Sequence, residues 1–314
     1  MSLILGIDGG GSKTAAWLAE ASGDRADEPL GRGFAGPSNP RAVGFAVACA
    51  NLDQAIAAAF ANAKFPRTMV QAACICLAGA DRASEKAALE NWAGQAGIAT
   101  HVRITNDAEP LLAAASRENW GIALIAGTGS IAWGKNRIGD ANRCGGWGYL
   151  FGDEGSGYAI AIAGLRAAAR AADGRGEATR LLSGMQDRLG VSQPATLVEA
   201  VYHADIPRAK IAELAEVVFV ADAADDFVAR RIVAAAATDL AELVVTLARK
   251  LQLDDGDYPL ALAGGLLVNY STLRRAIAEH LQQASIAPRE IAVVADPVRG
   301  AVELARACLP SAHN

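Results

Sequence analysis

The stretch LILGIDGGGSKT, from Leu3 to Thr14, constrains the fold of this chain more than any other part of the sequence. Its apolar run is suited to a buried strand that ends at Asp8. A glycine turn, a cation and two hydroxyls follow: Gly9, Gly10, Gly11, Ser12, Lys13 and Thr14. Glycine lacks a Cβ atom and tolerates positive φ, so the backbone N–H groups of such a turn can approach phosphate oxygens closely. The stretch predicts a phosphate-binding turn, with Asp8 as a carboxylate that holds Mg²⁺, usually through water.

Two better-known phosphate motifs do not fit this turn. A Walker A loop requires Lys directly after its second glycine, where, counted from Gly6, Ser12 stands. A dinucleotide-binding fingerprint read from Gly9 requires Gly or Ala at the position of Thr14. At this point the alternative interpretation, a glycine-rich hairpin turn that binds no ligand, therefore remains.

Length and composition narrow the class of protein. The 314 residues favour two domains, and 52% hydrophobic residues can bury a large core. The net charge of −5 and the lack of a basic block argue against nucleic acid as a partner. Apolar stretches fall short of the ~20 residues that span a bilayer, and the first residues lack a signal-peptide pattern. We therefore expect a cytoplasmic protein that does not enter the membrane.

A second hairpin repeats the plan of the first. Ile122–Ala126 reads as a strand, Gly127–Ser130 as a loop and Ile131–Gly134 as a returning strand. Two facing turns of glycines and hydroxyls could clamp a polyphosphate from both sides, although a coincidental second hairpin is the alternative. Further on, Pro207–Val220 and Asn269–Gln283 each read as one helix.

Polar residues stand at two other informative places. Asp107 follows the predicted strand His101–Thr105 and precedes a helix, so it is either a strand-end carboxylate in a site or the N-cap of that helix. The segment Cys144–Gly157, CGGWGYLFGDEGSG, combines glycines, aromatics and two carboxylates, a composition typical of a functional loop. The five cysteines and four histidines show no metal-binding spacing.

Together these landmarks resemble the sugar kinase, Hsp70 and actin ATPase superfamily from Leu3 to Leu309. The string GGWGYLFGDEGSG is similar to the N-acetylglucosamine kinase group of the BadF/BadG/BcrA/BcrD ATPase family. The resemblance implies an α/β fold with two actin-like (ribonuclease H-like) domains, residues 1–117 and 118–314, around an interdomain cleft. The last helix is able to pack back on the first domain.

The resemblance also implies roles for individual residues. Asp107 would be the general base, and Asp8 the Mg²⁺ residue. Nucleotide binding would fall to Gly10, Gly11, Ser12, Lys13, Thr128, Gly129, Ala221, Gly264 and Gly265. Sugar binding would fall to Asn39, Asp107, Ser130, Cys144, Gly146, Trp147, Gly148 and Asp153. Glu154 would order its loop. Ala78 stands where some relatives offer a Ser to the sugar, which puts the fit of the N-acetyl group in doubt.

The implied activity is transfer of the γ-phosphate of ATP, with Mg²⁺, to the 6-hydroxyl of N-acetylglucosamine or a close relative such as glucosamine or N-acetylmuramic acid. A BadF/BadG-type ATPase that activates a dehydratase or reductase is the first alternative; it would bridge a dimer with a [4Fe–4S] cluster held by cysteines. A sugar sensor with an added helix-turn-helix is the second. A homodimer is left open as the assembly.

Overall fold

The computed structural model describes residues 2–22, 28–80, 82–116, 118–202 and 206–309. The chain forms two compact units. One contains the residues up to Trp120 together with those from Val294 onward, and the other is Gly121–Val293. No described helix is long and apolar enough to cross a lipid bilayer.

The first unit is built on a five-stranded sheet in the order β3-β2-β1-β4-β5. Strands β1 and β2 are antiparallel, whereas β1 pairs in parallel with β4, and β4 with β5. The strands are β1 Leu3–Gly9, β2 Thr14–Glu20, β3 Gly31–Ala35, β4 Val70–Leu77 and β5 Ala99–Thr105. The helices are α1 Pro40–Val43, α2 Phe45–Ala63, α3 Ala83–Gln95, α4 Glu109–Ala115 and, from the end of the chain, α13 Pro297–Ala307.

The second unit repeats this arrangement with the order β10-β9-β6-β7-β8. Its strands are β6 Gly121–Ala126, β7 Ser130–Lys135, β8 Ala141–Gly145, β9 Pro259–Ala263 and β10 Glu290–Val294. Its helices are α5 Gly157–Ala172, α6 Leu181–Leu189, α7 Thr196–Tyr202, α8 Arg208–Ala212, α9 Ala215–Ala223, α10 Phe227–Lys250, α11 Gly265–Asn269 and α12 Ser271–Gln283. The prediction that the pattern restarts at Gly121 is confirmed.

The apolar run at the start of the chain is continuous because β1 is buried on both faces. Leu5 and Ile7 pack in one core cluster, and Ile4 packs in a second cluster on the other face. Helix α13 covers this second face so closely that a Cβ atom on Gly6 would lie 2.4 Å from the backbone nitrogen of Val302. Packing on both faces therefore fixes the position of β1, and with it the position of Asp8 near the carboxyl end of that strand.

One segment that the sequence predicts as a single helix is divided in two. The segment predicted as Pro207–Val220 breaks at Glu213 and Leu214, between α8 and α9. The helix predicted over Asn269–Gln283 is confirmed as α12, which begins two residues later because Tyr270, with φ of −112° and ψ of 97°, is extended. Apolar periodicity continues across the break at Glu213 and Leu214, which is why the single-helix prediction there is wrong.

Candidate active site

The first glycine turn is held by a buried polar pair, formed by Thr14 of the turn and by Ser38, which the sequence analysis did not single out. Thr14 Oγ1 donates to Gly36 O at 2.6 Å and contacts Ser38 Oγ at 2.8 Å, with both side chains buried. A Cβ atom on Gly9 would lie 2.1 Å from Ser38 Oγ, so glycine is required there for close approach. Gly10 and Gly11 have no such contact and none of the three has positive φ, so the expected use of positive φ is wrong.

The exposed end of this turn is free to meet a ligand. Gly11, Ser12 and Lys13 are exposed, and Gly10 N–H donates to Lys13 O at 3.0 Å. The N–H of Asn39 donates back to Gly10 O at 3.3 Å, which places this predicted sugar residue against the phosphate turn. Asn39 Oδ1 also accepts from Arg41 N–H at 3.0 Å.

Asp8 and Asp107 lie at the carboxyl ends of β1 and β5, with β4 between them. The pKa of Asp8 is raised to about 7, chiefly because its carboxyl is buried away from water and secondly because Asp107 is negatively charged. The positive charge of Lys13 lowers the pKa of Asp8, but by less. Two carboxylates repel each other when both are ionised, and a bound cation offsets this repulsion. Among the described residues no three His, Cys, Asp or Glu side chains gather as metal ligands. The pair fits Mg²⁺, which takes one or two carboxylates with water and phosphate oxygens as its other ligands.

The capping function that the sequence left open for Asp107 is performed by its neighbour. Asn106 Oδ1 accepts from the N–H groups of Ala108 at 3.1 Å and Glu109 at 2.9 Å, at the start of α4. Glu109, a buried residue that the sequence analysis did not single out, accepts from Thr105 Oγ1 at 2.6 Å and from Arg103 Nη2 at 2.8 Å. Asp107 itself is only partly buried. This arrangement supports a role for Asp107 other than helix capping.

The second glycine turn, in the other unit, is tied to the start of α5. Gly157 N–H donates to Gly127 O at 2.7 Å, and Ser130 Oγ donates to Glu154 O at 2.7 Å. Ser156, not Asp153, caps α5 by accepting from Ala159 N–H at 3.2 Å. Thr128 and Gly129 form the tip of this turn between β6 and β7.

Asp153 lies beneath this second turn. It is buried, with a left-handed φ of 58°, and its Oδ1 accepts from Ser130 N–H at 3.4 Å. A Cβ atom on Gly129 would come within 2.8 Å of Asp153 Oδ2, so the turn and the carboxylate are in direct contact. Arg208, which the sequence analysis did not single out, places Nη1 at 3.9 Å from Asp153 Oδ2. No local sequence signal marks Arg208, because the pairing joins residues far apart in the chain.

Gly264 and Gly265 lie beside the second turn because β6 and β9 are parallel neighbours. Gly264 has φ of 90°, and a Cβ atom there would lie 2.4 Å from Ala126 O, so it must be glycine. A Cβ atom on Gly127 would lie 3.9 Å from Gly265 N. Ala221 is buried in α9, two residues after Phe219, whose ring stacks on Tyr270 at 3.7 Å. The glycines of the second turn and Gly264 and Gly265 thus lie together at the carboxyl ends of β6 and β9, whereas no contact joins Ala221 to them among those described.

The remaining predicted sugar residues lie at the end of β8 and in the loop beyond it. Cys144 is partly buried and pairs with Ala132 of β7. Gly146 N–H donates to Ser130 O at 3.0 Å, and Gly146 and Gly148 both have positive φ, of 70° and 86°. Trp147 is 62% exposed beneath the guanidinium of Arg143, so it is not a core residue.

Residues 5–305 match the model of the BadF/BadG/BcrA/BcrD ATPase family. The chain belongs to that family. The predicted resemblance and the predicted α/β fold of actin-like units are confirmed.

Several proteins that resemble the chain are described as amino-sugar kinases. An N-acetylmuramic acid/N-acetylglucosamine kinase of Clostridium acetobutylicum is 33% identical over 306 residues, which are 98% of this chain and 99% of the relative. An N-acetyl-D-glucosamine kinase of Dictyostelium discoideum is 29% identical over 96% of this chain and 97% of its own. A Chromobacterium violaceum structure, described as a candidate N-acetylglucosamine kinase, superposes with a TM-score of 0.74 at 27% identity, covering 97% of this chain and 99% of that one.

Proposed function

We propose that this family member is an ATP-dependent amino-sugar kinase that phosphorylates the 6-hydroxyl of N-acetylglucosamine or a close relative. The observation that carries the proposal is the pair Asp8 and Asp107 at the carboxyl ends of β1 and β5, which flank β4, with the helix-capping hydrogen bonds taken by Asn106. The relatives described as kinases of N-acetylglucosamine or N-acetylmuramic acid match over nearly the whole chain, which supports the same substrate class here.

In the proposed mechanism Asp107 accepts the proton of the attacking sugar hydroxyl. Phosphoryl transfer depends mainly on positioning and charge stabilisation, so the base acts by orienting the hydroxyl as well as by removing its proton. Asp8 and water would hold Mg²⁺, which supplies charge neutralisation on the phosphates when bound. Ser12, Lys13 and Thr128 would contact phosphate, and Gly264 and Gly265 the adenosine. Asn39 and Asp153 would bind sugar hydroxyls.

The activator alternative is disfavoured by the placement of the cysteines. Cys49, Cys74 and Cys76 are buried within the first unit, and burial raises the pKa of the Cys76 thiol well above its usual range. A protonated, buried thiol is a poor cluster ligand because only the thiolate binds metal. Cys144 and Cys308, which are partly exposed, lie in different units. An absorption spectrum of the purified protein separates the two candidates, since a [4Fe–4S] protein is brown.

The proposal is tested by ADP release in the presence of a sugar panel. With Mg²⁺ and ATP we expect N-acetylglucosamine, glucosamine or N-acetylmuramic acid to stimulate ADP release well above the rate without sugar, and glucose to do so less. A flat panel, with ATP hydrolysis independent of any sugar, contradicts the proposed function.

A further inference from the structure

A cavity of about 840 Å³ opens in the second unit between the loop that follows β8 and helices α5, α7 and α8. Its walls are mostly aromatic and aliphatic, and the residues that line it include Tyr149, Tyr158, Ile162, Leu197, Tyr202 and Ile211. Asp153 and Arg166 are the charged residues among its described walls. A cavity of this size and composition is typical of a small-molecule site.

Large apolar side chains stand exposed around this cavity. Leu150 is 78% exposed, Tyr202 83% and Val198 60%, and all three line it. Contiguous exposed apolar surface on a soluble protein usually marks a binding site. The surface of this cavity is therefore more apolar than a pocket for sugar hydroxyls alone requires.

Asp153 joins the cavity to the predicted sugar site. One of its oxygens accepts from Ser130 of the second glycine turn at 3.4 Å, and the residue also lines the cavity. Arg208 lies 3.9 Å from its other oxygen and packs over the ring of Tyr149 at 5.2 Å from the ring centre. The carboxylate that would bind the sugar ring is thus held against the aromatic wall by one guanidinium.

We propose that this cavity is a specificity site for an apolar substituent on the amino sugar, such as an acyl chain longer than acetyl or an aryl group on the anomeric oxygen. The proposal rests on the proposed function, because it takes Asp153 as a sugar ligand. An acetyl group fills only a small part of 840 Å³, and apart from Asp153 and Arg166 the described wall residues carry no charge. Each methylene buried there is expected to improve kcat/KM by about two- to fourfold.

The test compares glucosamine carrying acetyl, propanoyl, butanoyl and hexanoyl groups, together with a phenyl glycoside of N-acetylglucosamine. We expect kcat/KM to exceed that of N-acetylglucosamine along the acyl series, for the phenyl glycoside, or for both. The series that shows the increase identifies the substituent that enters the cavity. Values that fall steadily with chain length, without a gain for the phenyl glycoside, overturn the proposal.

Matched variants show whether any gain arises in the cavity. Tyr202→Ala removes an exposed wall residue and should reduce the advantage of the favoured substituent over acetyl by about fivefold, whereas Ile162→Trp should abolish it by filling the cavity. Phe34→Ala, a similarly exposed aromatic on β3 of the other unit, should leave that advantage unchanged. An advantage that survives both cavity variants overturns the proposal; because Tyr202 is exposed, its variant should fold even where Ile162→Trp does not.

Calorimetric titration of the same sugars without ATP separates this proposal from the proposed kinase activity. If no sugar is phosphorylated but affinity still rises with the apolar substituent and falls in Tyr202→Ala, the kinase proposal fails and the cavity stands. If N-acetylglucosamine is phosphorylated but affinity is flat or falls along the series, the cavity proposal fails alone.

Discussion

At the scale of single residues, the sequence places Asp107 correctly at the end of a strand but cannot decide what its carboxylate does. Asp and Asn are both good helix caps, and two such residues stand side by side at positions 106 and 107. The hydrogen bonds assign the cap to Asn106, which accepts from both N–H groups at the start of α4. Arg208 and Glu109 could not be found from the sequence, because their importance comes from partners that only the fold supplies.

The Asp107→Asn variant tests the proposed base. Asn keeps the size of the side chain but cannot accept a proton, so we expect kcat to fall by about 10²-fold or more with ATP affinity retained. Asn106→Ala, the neighbouring control, should instead lower the stability of the first unit by about 1 kcal/mol through loss of the cap. Steady-state kinetics and thermal unfolding of both variants measure this contrast. A kcat within a few-fold of the parent in Asp107→Asn would mean that Asp107 is not the base, and Asp153 would become the candidate.

At the scale of secondary-structure elements, hydrophobic periodicity predicts most helices and strands because most of them bury one face or both. It fails where the chain bends without a change of composition, as at Glu213 and Leu214 between α8 and α9. It also fails for β8, an edge strand without alternating apolar residues whose first three residues are exposed. Close approaches between backbone segments cannot be predicted from periodicity either, because the sequence does not show which of its 32 glycines lie against another segment of the chain.

The N-cap of α10 gives a pH-dependent contribution to stability. Asp226 accepts from Ala229 N–H at 2.9 Å and from Arg180 N–H at 2.7 Å. Burial alone would raise its pKa, but these hydrogen bonds and one from Thr179 lower it below 3.8 overall. A depressed carboxyl pKa stabilises the fold above the unfolded-state pKa, and this stabilisation is lost as pH falls through the folded-state pKa.

We therefore expect Asp226→Ala to lower stability by about 2 kcal/mol at pH 7, a shift of about 5 °C in the unfolding midpoint. The difference from the parent protein should shrink below about pH 4, where the carboxylate of the unfolded chain becomes protonated. Thermal unfolding at both pH values measures it. A difference that stays constant from neutral to acid pH would show that the carboxylate charge contributes nothing.

Helices α13 and α4 pack against each other at Gly300, a position that has no room for a side chain. A Cβ atom on Gly300 would lie 1.7 Å from Pro110 O and 2.9 Å from Ala114 N. Because the obstacle is backbone, Gly300→Ala should destabilise the first unit by at least about 2 kcal/mol. Gly94→Ala, in α3 with no atom within 4 Å, should instead raise stability by up to ~1 kcal/mol. Equal midpoints for the two variants in thermal unfolding would contradict this packing.

At the scale of the whole molecule, two units with the same strand order each carry a glycine and hydroxyl turn after the first strand. That repeat was predictable, because both turns interrupt an apolar run that returns as a second strand. The packing of α13 on β1 was not fixed by local pattern, since it joins residues near opposite ends of the sequence. The family match over residues 5–305 connects this architecture to ATPases, and the relatives described as amino-sugar kinases point to the acceptor.

The central claim is transfer of phosphate from ATP to the 6-hydroxyl of an amino sugar, and NMR of the reaction product tests it most directly. After incubation with Mg²⁺, ATP and N-acetylglucosamine, we expect one equivalent of sugar phosphate for each ADP, with ³¹P coupling at carbon 6. The same incubation with Asp107→Asn should yield almost none in the same time. ADP formed without sugar phosphate, or phosphate attached to another carbon, would contradict the account.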